Sequence, residues 1–177
     1  KSKINVGTEF RILLPAAAHI MEESPVAVAD DSEIVRGEGV VMIADDQRDV
    51  LLVGAMMLER LGYKAVKVES GEAAVEEYRQ LAVGNRAPVA VIMDHTFPGG
   101  MSGDDAAREI VALDPEAKII ASSGYFETSD EERIKQIGYA AILPKPYSPA
   151  VLSRTLHGLL GEKAPAPSAK SSDAVLV

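Results

Sequence analysis

Residues 91–103 read VIMDHTFPGGMSG, an apolar run that stops at the single carboxylate of Asp94 and passes at once into a loop of glycine and proline. A continuous apolar run is typical of a strand buried on both faces, whereas Gly and Pro interrupt regular structure. A carboxylate at the end of a buried strand does not contribute to an apolar core, and its position favours a functional site. Asp94 is therefore the first candidate functional residue.

The sequence around this stretch alternates between short apolar runs and segments with helical periodicity. Strands are predicted at 40–44, 64–68, 89–93, 118–122 and 140–143, each followed by a predicted helix. Ser70 and Ser148 are candidate helix caps, and Thr128 and Ser129 each begin a capping box. Five such units predict a mainly parallel sheet with helices on both faces. In such sheets the ligand site lies beyond the carboxyl ends of the strands.

The composition limits what the site can be. The chain has 177 residues, of which 47% are hydrophobic and 25% charged, as in one globular domain with flanking segments. Its net charge of −9 argues against nucleic-acid binding, because phosphate neutralisation needs clustered Lys and Arg. The lack of Cys excludes disulfides and Cys-based zinc sites. No apolar run reaches the length of a spanning helix, so we expect a cytoplasmic fragment without membrane contact.

Polar residues follow the carboxyl ends of four predicted strands. They are Asp45 and Asp46 after the first strand, Asp94 after the third, Ser123 after the fourth and Lys145 after the fifth. Because the carboxyl ends of parallel strands meet at one edge of a sheet, we expect these side chains to converge. Each one alone is also typical of a helix cap or a solvated side chain. Their joint position at the correct strand ends favours a site.

The residue types in this set point to phosphoryl chemistry. Three neighbouring carboxylates raise one another's pKa values unless a cation lies among them. Oxygen ligands that leave room for water and phosphoryl oxygens suit Mg²⁺ better than zinc. A lysine and a serine hydroxyl can hold phosphoryl oxygens. Asp94 would then be placed to attack phosphorus and form an aspartyl phosphate, a reaction that depends mostly on positioning and charge neutralisation.

With these motifs, residues 39–162 resemble a receiver domain of two-component signalling. The resemblance rests on DD after the first strand, D…P…G after the third, S-G after the fourth and K-P after the fifth. It implies a flavodoxin-like (βα)5 doubly wound parallel sheet with strand order 2-1-3-4-5. The resemblance implies that Asp94 is the phosphoacceptor, Ser123 the hydroxyl switch and Lys145 the family's lysine, in a cis peptide with Pro146. It also implies that Asp46 binds Mg²⁺ directly and that Asp45 binds it through water. The backbone carbonyl of Thr96 would be a further Mg²⁺ ligand.

Two positions depart from the family pattern. Gly103 lies nine positions after Asp94 instead of eight, because PGGM carries one extra glycine, and we expect a longer and looser loop. Ile142 stands three positions before Lys145, where the family usually has Phe or Tyr. The aromatic switch that couples to the hydroxyl residue is therefore missing, which puts the usual output mechanism in question but leaves the phosphorylation chemistry intact.

The flanking segments predict a longer parent protein. Residues 1–15 contain VGTEFRILLP, in which Phe10, Ile12 and Leu14 alternate as in a strand, and this segment resembles the end of a histidine-kinase ATP-binding domain. Residues 16–38 are predicted to be a linker, and residues 163–177, rich in Ala, Pro and Ser, a disordered tail. This order of segments implies that the chain is a fragment of a hybrid sensor histidine kinase. The parent protein is membrane-anchored or free, and the fragment lacks a complete kinase core.

The resemblance implies a phosphohistidine donor as partner, either the parent's own kinase core or a histidine phosphotransfer protein, and homodimerisation through the parent. None of His19, His95 and His157 has a helical phosphoacceptor context. A degenerate receiver that acts only as an interaction module remains an alternative because of Ile142. A haloacid-dehalogenase-like phosphatase also uses a strand-end Asp with Mg²⁺, but it needs a second Asp two positions later, where this chain has Thr96.

Overall fold

A computed structural model describes residues 1–11, 34–84, 86–124 and 130–161. Two short strands near the N-terminus, β1 (Ser2–Lys3) and β2 (Gly7–Thr8), form an antiparallel hairpin. Strands and helices then alternate in the order β3 (Val40–Ala44), α1 (Arg48–Arg60), β4 (Lys64–Val68), α2 (Gly71–Val83), β5 (Ala90–Asp94), α3 (Gly103–Leu113), β6 (Ile119–Ser123), α4 (Asp130–Ile137), β7 (Ala141–Pro144) and α5 (Pro149–Leu160).

The five strands β3 to β7 form one sheet in the order β4-β3-β5-β6-β7, and every neighbouring pair is parallel. Counted from β3, this is the order 2-1-3-4-5, so the flavodoxin-like (βα)5 fold is confirmed. The strand order reverses between β3 and β5, because the chain leaves β3 toward one edge and later returns to its other side. In doubly wound sheets such a switch point is where the ligand crevice opens.

The core consists of two apolar layers, because successive side chains of a strand point to opposite faces of the sheet. Side chains on one face of the sheet, such as those of Met42 and Val91, pack with α2, α3 and α4. Side chains on the other face, such as those of Ile43 and Ile92, pack with α1 and α5. Every residue of β5 is buried, as its unbroken apolar run predicts. The strand β4 lies at the sheet edge, where its alternating KAVKV pattern exposes two lysines.

Serine hydroxyls cap the amino ends of three helices. Ser70 accepts a hydrogen bond from the Ala73 amide at 3.2 Å, and Ser148 accepts one from the Val151 amide at 3.3 Å. Both caps agree with the sequence prediction. Ser102 caps α3 in the same way, at 3.1 Å from the Asp105 amide. The capping boxes that begin at Thr128 and Ser129 lie outside the described residues.

The last residues of the predicted linker contact the domain. Ser153 of α5 bonds the backbone of Val35 twice, accepting from its amide and donating to its carbonyl at 2.9 Å each. The Gly37 amide donates to the Leu61 carbonyl at 2.9 Å. Residues 34–37 are thus fastened along α5 and the end of α1 before the chain enters β3. Among the described residues, no helix has the length and apolar character to cross a membrane.

Burial predicts that leucine-to-alanine substitutions at two positions of α1 lower the free energy of unfolding by different amounts. Leu58 is fully buried, whereas Leu52 is 54% exposed. Leu58→Ala should lower the free energy of unfolding by about 2–5 kcal/mol, because it removes buried methyl groups and leaves a cavity. Leu52→Ala should change it by only about 0.5 kcal/mol. Urea denaturation of both variants measures the difference, and equal losses would contradict the packing of α1.

Candidate functional site

The two central strands bring the candidate carboxylates to one edge of the sheet. In the register of β3 and β5, Ala44 pairs with Met93, so that Asp45 and Asp94 leave the sheet side by side. The Val68 carbonyl of β4 accepts from the Asp45 amide at 3.1 Å. The Gln47 amide, at the start of α1, donates to Asp45 Oδ1 at 2.9 Å. Backbone hydrogen bonds therefore hold the Asp45 carboxylate at the switch point.

Strands β6 and β7 add the remaining predicted residues to the same edge. Ser123 is the last residue of β6 and pairs with Pro144 of β7. The Lys145 amide donates to the Ser123 carbonyl at 2.8 Å, which extends the ladder by one residue. The peptide bond between Lys145 and Pro146 is cis, as expected. Four strands therefore contribute their carboxyl ends to one rim, although the residues are up to 100 positions apart.

The side chains of this rim form a compact charged cluster. Oxygens of Asp45, Asp46 and Asp94 lie within 4.8 Å of one another. Asp45 and Asp94 are buried, with 2% and 8% of their surface exposed, and Asp46 is exposed. The Lys145 ammonium donates to Asp45 Oδ2 and lies 3.2 Å from Asp94 Oδ1. Thr96 lies two residues after Asp94 in the exposed part of the loop.

Burial and charge shift the protonation of this cluster. Burial raises the pKa of Asp94, and the charge of Asp45 adds to the rise, whereas Lys145 and the His95 amide oppose it. Burial lowers the pKa of Lys145, but its hydrogen bond to Asp45 and the charges of Asp94 and Asp45 outweigh this effect, so that the pKa is raised. The lysine therefore stays an ammonium ion, in contact with two of the three carboxylates of the cluster.

The donor set fits a hard divalent cation. Its three ligand groups supply only oxygens, which is the preference of Mg²⁺. The exposed Asp46 leaves one side of the cluster open to solvent, and Mg²⁺ usually keeps several waters. The raised pKa of Asp94 shows that Lys145 alone does not compensate the buried negative charge. A further cation among these oxygens would relieve the remaining repulsion.

The loop after Asp94 is held at both ends despite its extra residue. A Cβ atom on Gly103 would lie 1.8 Å from the Asp94 carbonyl oxygen, so only glycine allows α3 to begin against the end of β5. The left-handed φ of +72° at Gly99 turns the chain in the middle of the loop. The Met101 amide then donates to the Glu72 carboxylate of α2 at 2.7 Å. The longer loop is therefore fastened to a second helix, which differs from the looser loop expected.

One polar cluster beside the site escaped the sequence prediction. Asp104, in the first turn of α3, is buried, with 8% of its surface exposed. Its carboxylate bonds His95 Nδ1 at 2.9 Å and accepts from Arg133 of α4 at 2.5 Å and from the Tyr139 hydroxyl at 3.2 Å. Burial and the Asp104 charge raise the pKa of Tyr139, which stays a hydrogen-bond donor. An acidic residue near a helix start usually indicates a favourable dipole contact, so its local sequence does not signal this role.

A family model for the response regulator receiver domain matches residues 41–157. The chain therefore belongs to the response regulator receiver domain family. This class of two-component signalling domain agrees with the five-stranded parallel sheet and with the acidic rim at its switch point.

Two curated relatives differ in how much of their own length this chain matches. The chain is 28% identical over 165 residues to the sensor kinase CckA of Brucella abortus. This alignment covers 90% of this chain and 17% of that protein. It is 31% identical over 118 residues to the chemotaxis protein CheY of Thermotoga maritima, which covers 66% of this chain and 93% of that protein. The chain thus spans about a sixth of the sensor kinase that it matches and 93% of the chemotaxis protein.

A solved structure with the same fold is the receiver domain of the sensor histidine kinase PA1611 from Pseudomonas aeruginosa. It superposes with a TM-score of 0.62 at 28% identity, covering 71% of this chain and all of that one. In that protein a magnesium ion is coordinated in the active-site cleft.

The raised pKa of Asp94 predicts how the fold responds to pH without metal. An acid whose pKa is higher in the folded state destabilises that state once it ionises, and the penalty is absent below the unfolded value of about 4. In metal-free buffer, the stability of Asp94→Asn relative to the native chain should therefore rise as pH increases from about 4 through the folded pKa. Thermal denaturation across this range measures the difference, and a flat difference would contradict the shift.

Proposed function

We propose that this chain is the phosphoryl-accepting domain of a phosphorelay, in which Asp94 receives a phosphoryl group from a phosphohistidine in a Mg²⁺-dependent reaction. The observation that carries the proposal is the contact of one partly buried lysine with two buried carboxylates at the switch point. Lys145 Nζ lies 3.2 Å from Asp94 Oδ1 and also bonds Asp45. A lone strand-end aspartate would serve equally well as a cap, but it would not be held against an ammonium ion.

The transfer follows from the groups around Asp94. A carboxylate oxygen of Asp94 attacks phosphorus, the P–N bond breaks, and its electron pair remains on the donor imidazole, which takes up a proton. The Lys145 ammonium opposes the effect of burial on the Asp94 pKa and so favours the ionised, nucleophilic form. The same ammonium and the Ser123 hydroxyl would bind the oxygens of the transferred group. Asp45 holds Lys145 in place through its hydrogen bond.

Asp46, Asp94 and the Thr96 carbonyl would hold Mg²⁺ directly, with Asp45 acting through water. When bound, the ion neutralises charge on the carboxylates and on the phosphoryl oxygens during transfer. The exposed position of Asp46 supports its role, because it can approach a hydrated ion from the solvent side.

The donor is proposed to be the kinase core of the same parent chain or a histidine phosphotransfer protein. The alignment with CckA over 90% of this chain supports a sensor-kinase parent, since it extends beyond the receiver domain. Residues 1–15 would then be the end of an ATP-binding domain, followed by a linker (16–38), the receiver (39–162) and a tail (163–177). The parent would dimerise through its kinase part, with the receiver in the cytoplasm.

An apolar surface beside the site supports contact with a protein donor. Leu52, Val53 and Met56 of α1 are each half or more exposed. A cleft of about 450 Å³ joins this helix to Lys145, Pro146 and Tyr147. A donor helix seated there would bring its histidine to the rim that holds Asp94.

The phosphoacceptor role predicts a mass change. Incubation with acetyl phosphate and Mg²⁺ should add one phosphoryl group, seen by mass spectrometry as an increase of about 80 Da. Asp94→Asn should abolish it, because an amide oxygen is a poor nucleophile, and Asp105→Asn on the exposed surface of α3 should not. An adduct of equal occupancy in Asp94→Asn would overturn the assignment, and no adduct in the native chain would favour the interaction-module alternative.

The metal site predicts stabilisation by Mg²⁺ near neutral pH. Binding to the folded state alone should raise stability by about 2.7 kcal/mol at one hundred times the dissociation constant. Asp46→Asn should remove most of this gain, whereas Asp49→Asn, three positions further along and outside the cluster, should retain it. Differential scanning fluorimetry with and without Mg²⁺ measures both variants. An undiminished gain in Asp46→Asn would argue against the site.

A further inference from the structure

The Asp104 cluster joins the phosphoacceptor loop to two other elements. His95 directly follows Asp94, Asp104 lies in the first turn of α3, Arg133 lies on α4, and Tyr139 precedes β7. All three partners bond the same carboxylate, at 2.9, 2.5 and 3.2 Å. The carboxylate has only 12% of its side-chain surface exposed. The cluster is therefore a single junction between the site and α4, and the phosphorylation chemistry does not use it.

His95 reaches both the site and the junction. Its amide donates to Asp94 Oδ1 at 2.9 Å, and its carbonyl accepts from the Gly103 amide at 3.3 Å. Its imidazole bonds Asp104 at 2.9 Å. One residue thus hydrogen-bonds the phosphoacceptor oxygen through its backbone and the buried carboxylate through its side chain. A change at Asp94 that displaces the His95 backbone must also displace or break the contact with Asp104.

The position of the usual aromatic switch is occupied differently. Ile142, in β7, is partly buried and packs against the layer formed with α2, α3 and α4. A branched aliphatic side chain packed in this layer has no hydroxyl and no ring to exchange between an inward and an outward position. A route from Asp94 to α4 through Ile142 therefore lacks a polar contact, whereas the route through Asp104 has three.

We propose that Asp104 is a positioning residue that couples the state of Asp94 to α4 through His95 and Arg133. This inference rests on the proposed function, because it takes a phosphoryl group on Asp94 as the signal. Phosphorylation of Asp94 converts its carboxylate into an acyl phosphate, so the group that accepts from the His95 amide is no longer a free carboxylate. The loop from His95 to Gly103 then adjusts, the bond from His95 to Asp104 changes, and the carboxylate reorients toward or away from Arg133.

The partners differ in how firmly each is held. Tyr139 is buried, whereas the Arg133 side chain is 39% exposed. Arg133 can therefore leave the carboxylate for solvent at lower cost than Tyr139, because its guanidinium is rehydrated when it leaves. This asymmetry makes the pair between Asp104 and Arg133 the mobile contact of the junction, and α4 the element that responds.

The test measures α4 and the site separately. Beryllofluoride with Mg²⁺ serves as a stable substitute for the phosphoryl group, and ¹⁹F NMR titration gives its affinity. Hydrogen exchange with mass spectrometry reports the amides of α4. In the native chain the α4 exchange rates should differ at least about fivefold between the free and bound states, the lower range of coupling between two sites.

The variants separate coupling from folding. Asp104→Asn keeps the size of the side chain but removes the charge that holds Arg133, and Arg133→Gln leaves the buried carboxylate in place. Both should still bind beryllofluoride, but the α4 response should fall below about twofold, and the affinity should shift by the lost coupling factor, because coupling is reciprocal. Asp105→Asn, the adjacent residue whose ion pair with Arg108 is exposed, is the matched control and should keep the native response.

Each outcome decides one question. A native response in Arg133→Gln, or bound beryllofluoride without any change in α4, would overturn the coupling and leave the phosphoacceptor assignment intact. A native chain that binds no beryllofluoride would overturn the proposed function, and the coupling with it. Loss of the α4 response in both variants, with binding retained and Asp105→Asn unaffected, would support Asp104 as the positioning residue.

Discussion

The candidate site depends on one partly buried ammonium ion that contacts two buried carboxylates. Lys145 follows β7, Asp45 follows β3, and Asp94 ends β5, so that the lysine joins strands from the centre and the edge of the sheet. Burying such charges costs free energy unless they are paired and hydrogen-bonded. Here Lys145 and the His95 amide offset the burial of the Asp94 carboxylate only in part, so the pKa of Asp94 is raised. The remaining negative charge makes a further cation favourable at this rim.

Local patterns predicted the strands, the helices and the parallel sheet, whereas the strand order 2-1-3-4-5 followed only from the resemblance to receiver domains. Buried parallel strands are continuous apolar runs, and the residues at their ends meet because the sheet geometry requires it. Asp45, Asp94 and Lys145 were predictable for this reason, although 100 positions separate the first and the last. Their roles in catalysis stay predictions, because geometry shows proximity and only chemistry can show transfer.

The features that escaped prediction depend on partners that no local pattern indicates. Asp104 lies in a first helical turn beside Asp105, and the two look alike in sequence. Only the tertiary contacts, with Arg133 and Tyr139 some thirty positions away, make one buried and leave the other in solvent. The hydrogen bond between Val35 and Ser153 spans 118 positions and was equally hidden. Composition alone therefore predicted a linker for the segment that this bond anchors. The extra glycine was visible, but its tether to Glu72 was not.

The anchor of Val35 on α5 also sets how many residues separate the N-terminal hairpin from the domain. Only the twenty-two residues between Arg11 and Ile34 separate the N-terminal hairpin from the anchored segment, and such a stretch can span at most about 75 Å. If the hairpin belongs to a preceding kinase domain, that domain stays within this distance of the receiver, and a histidine that it carries is tethered to Asp94. Its effective concentration is then set by the tether and can reach the millimolar range of short linkers. A donor on a separate protein would have to compete against that local supply.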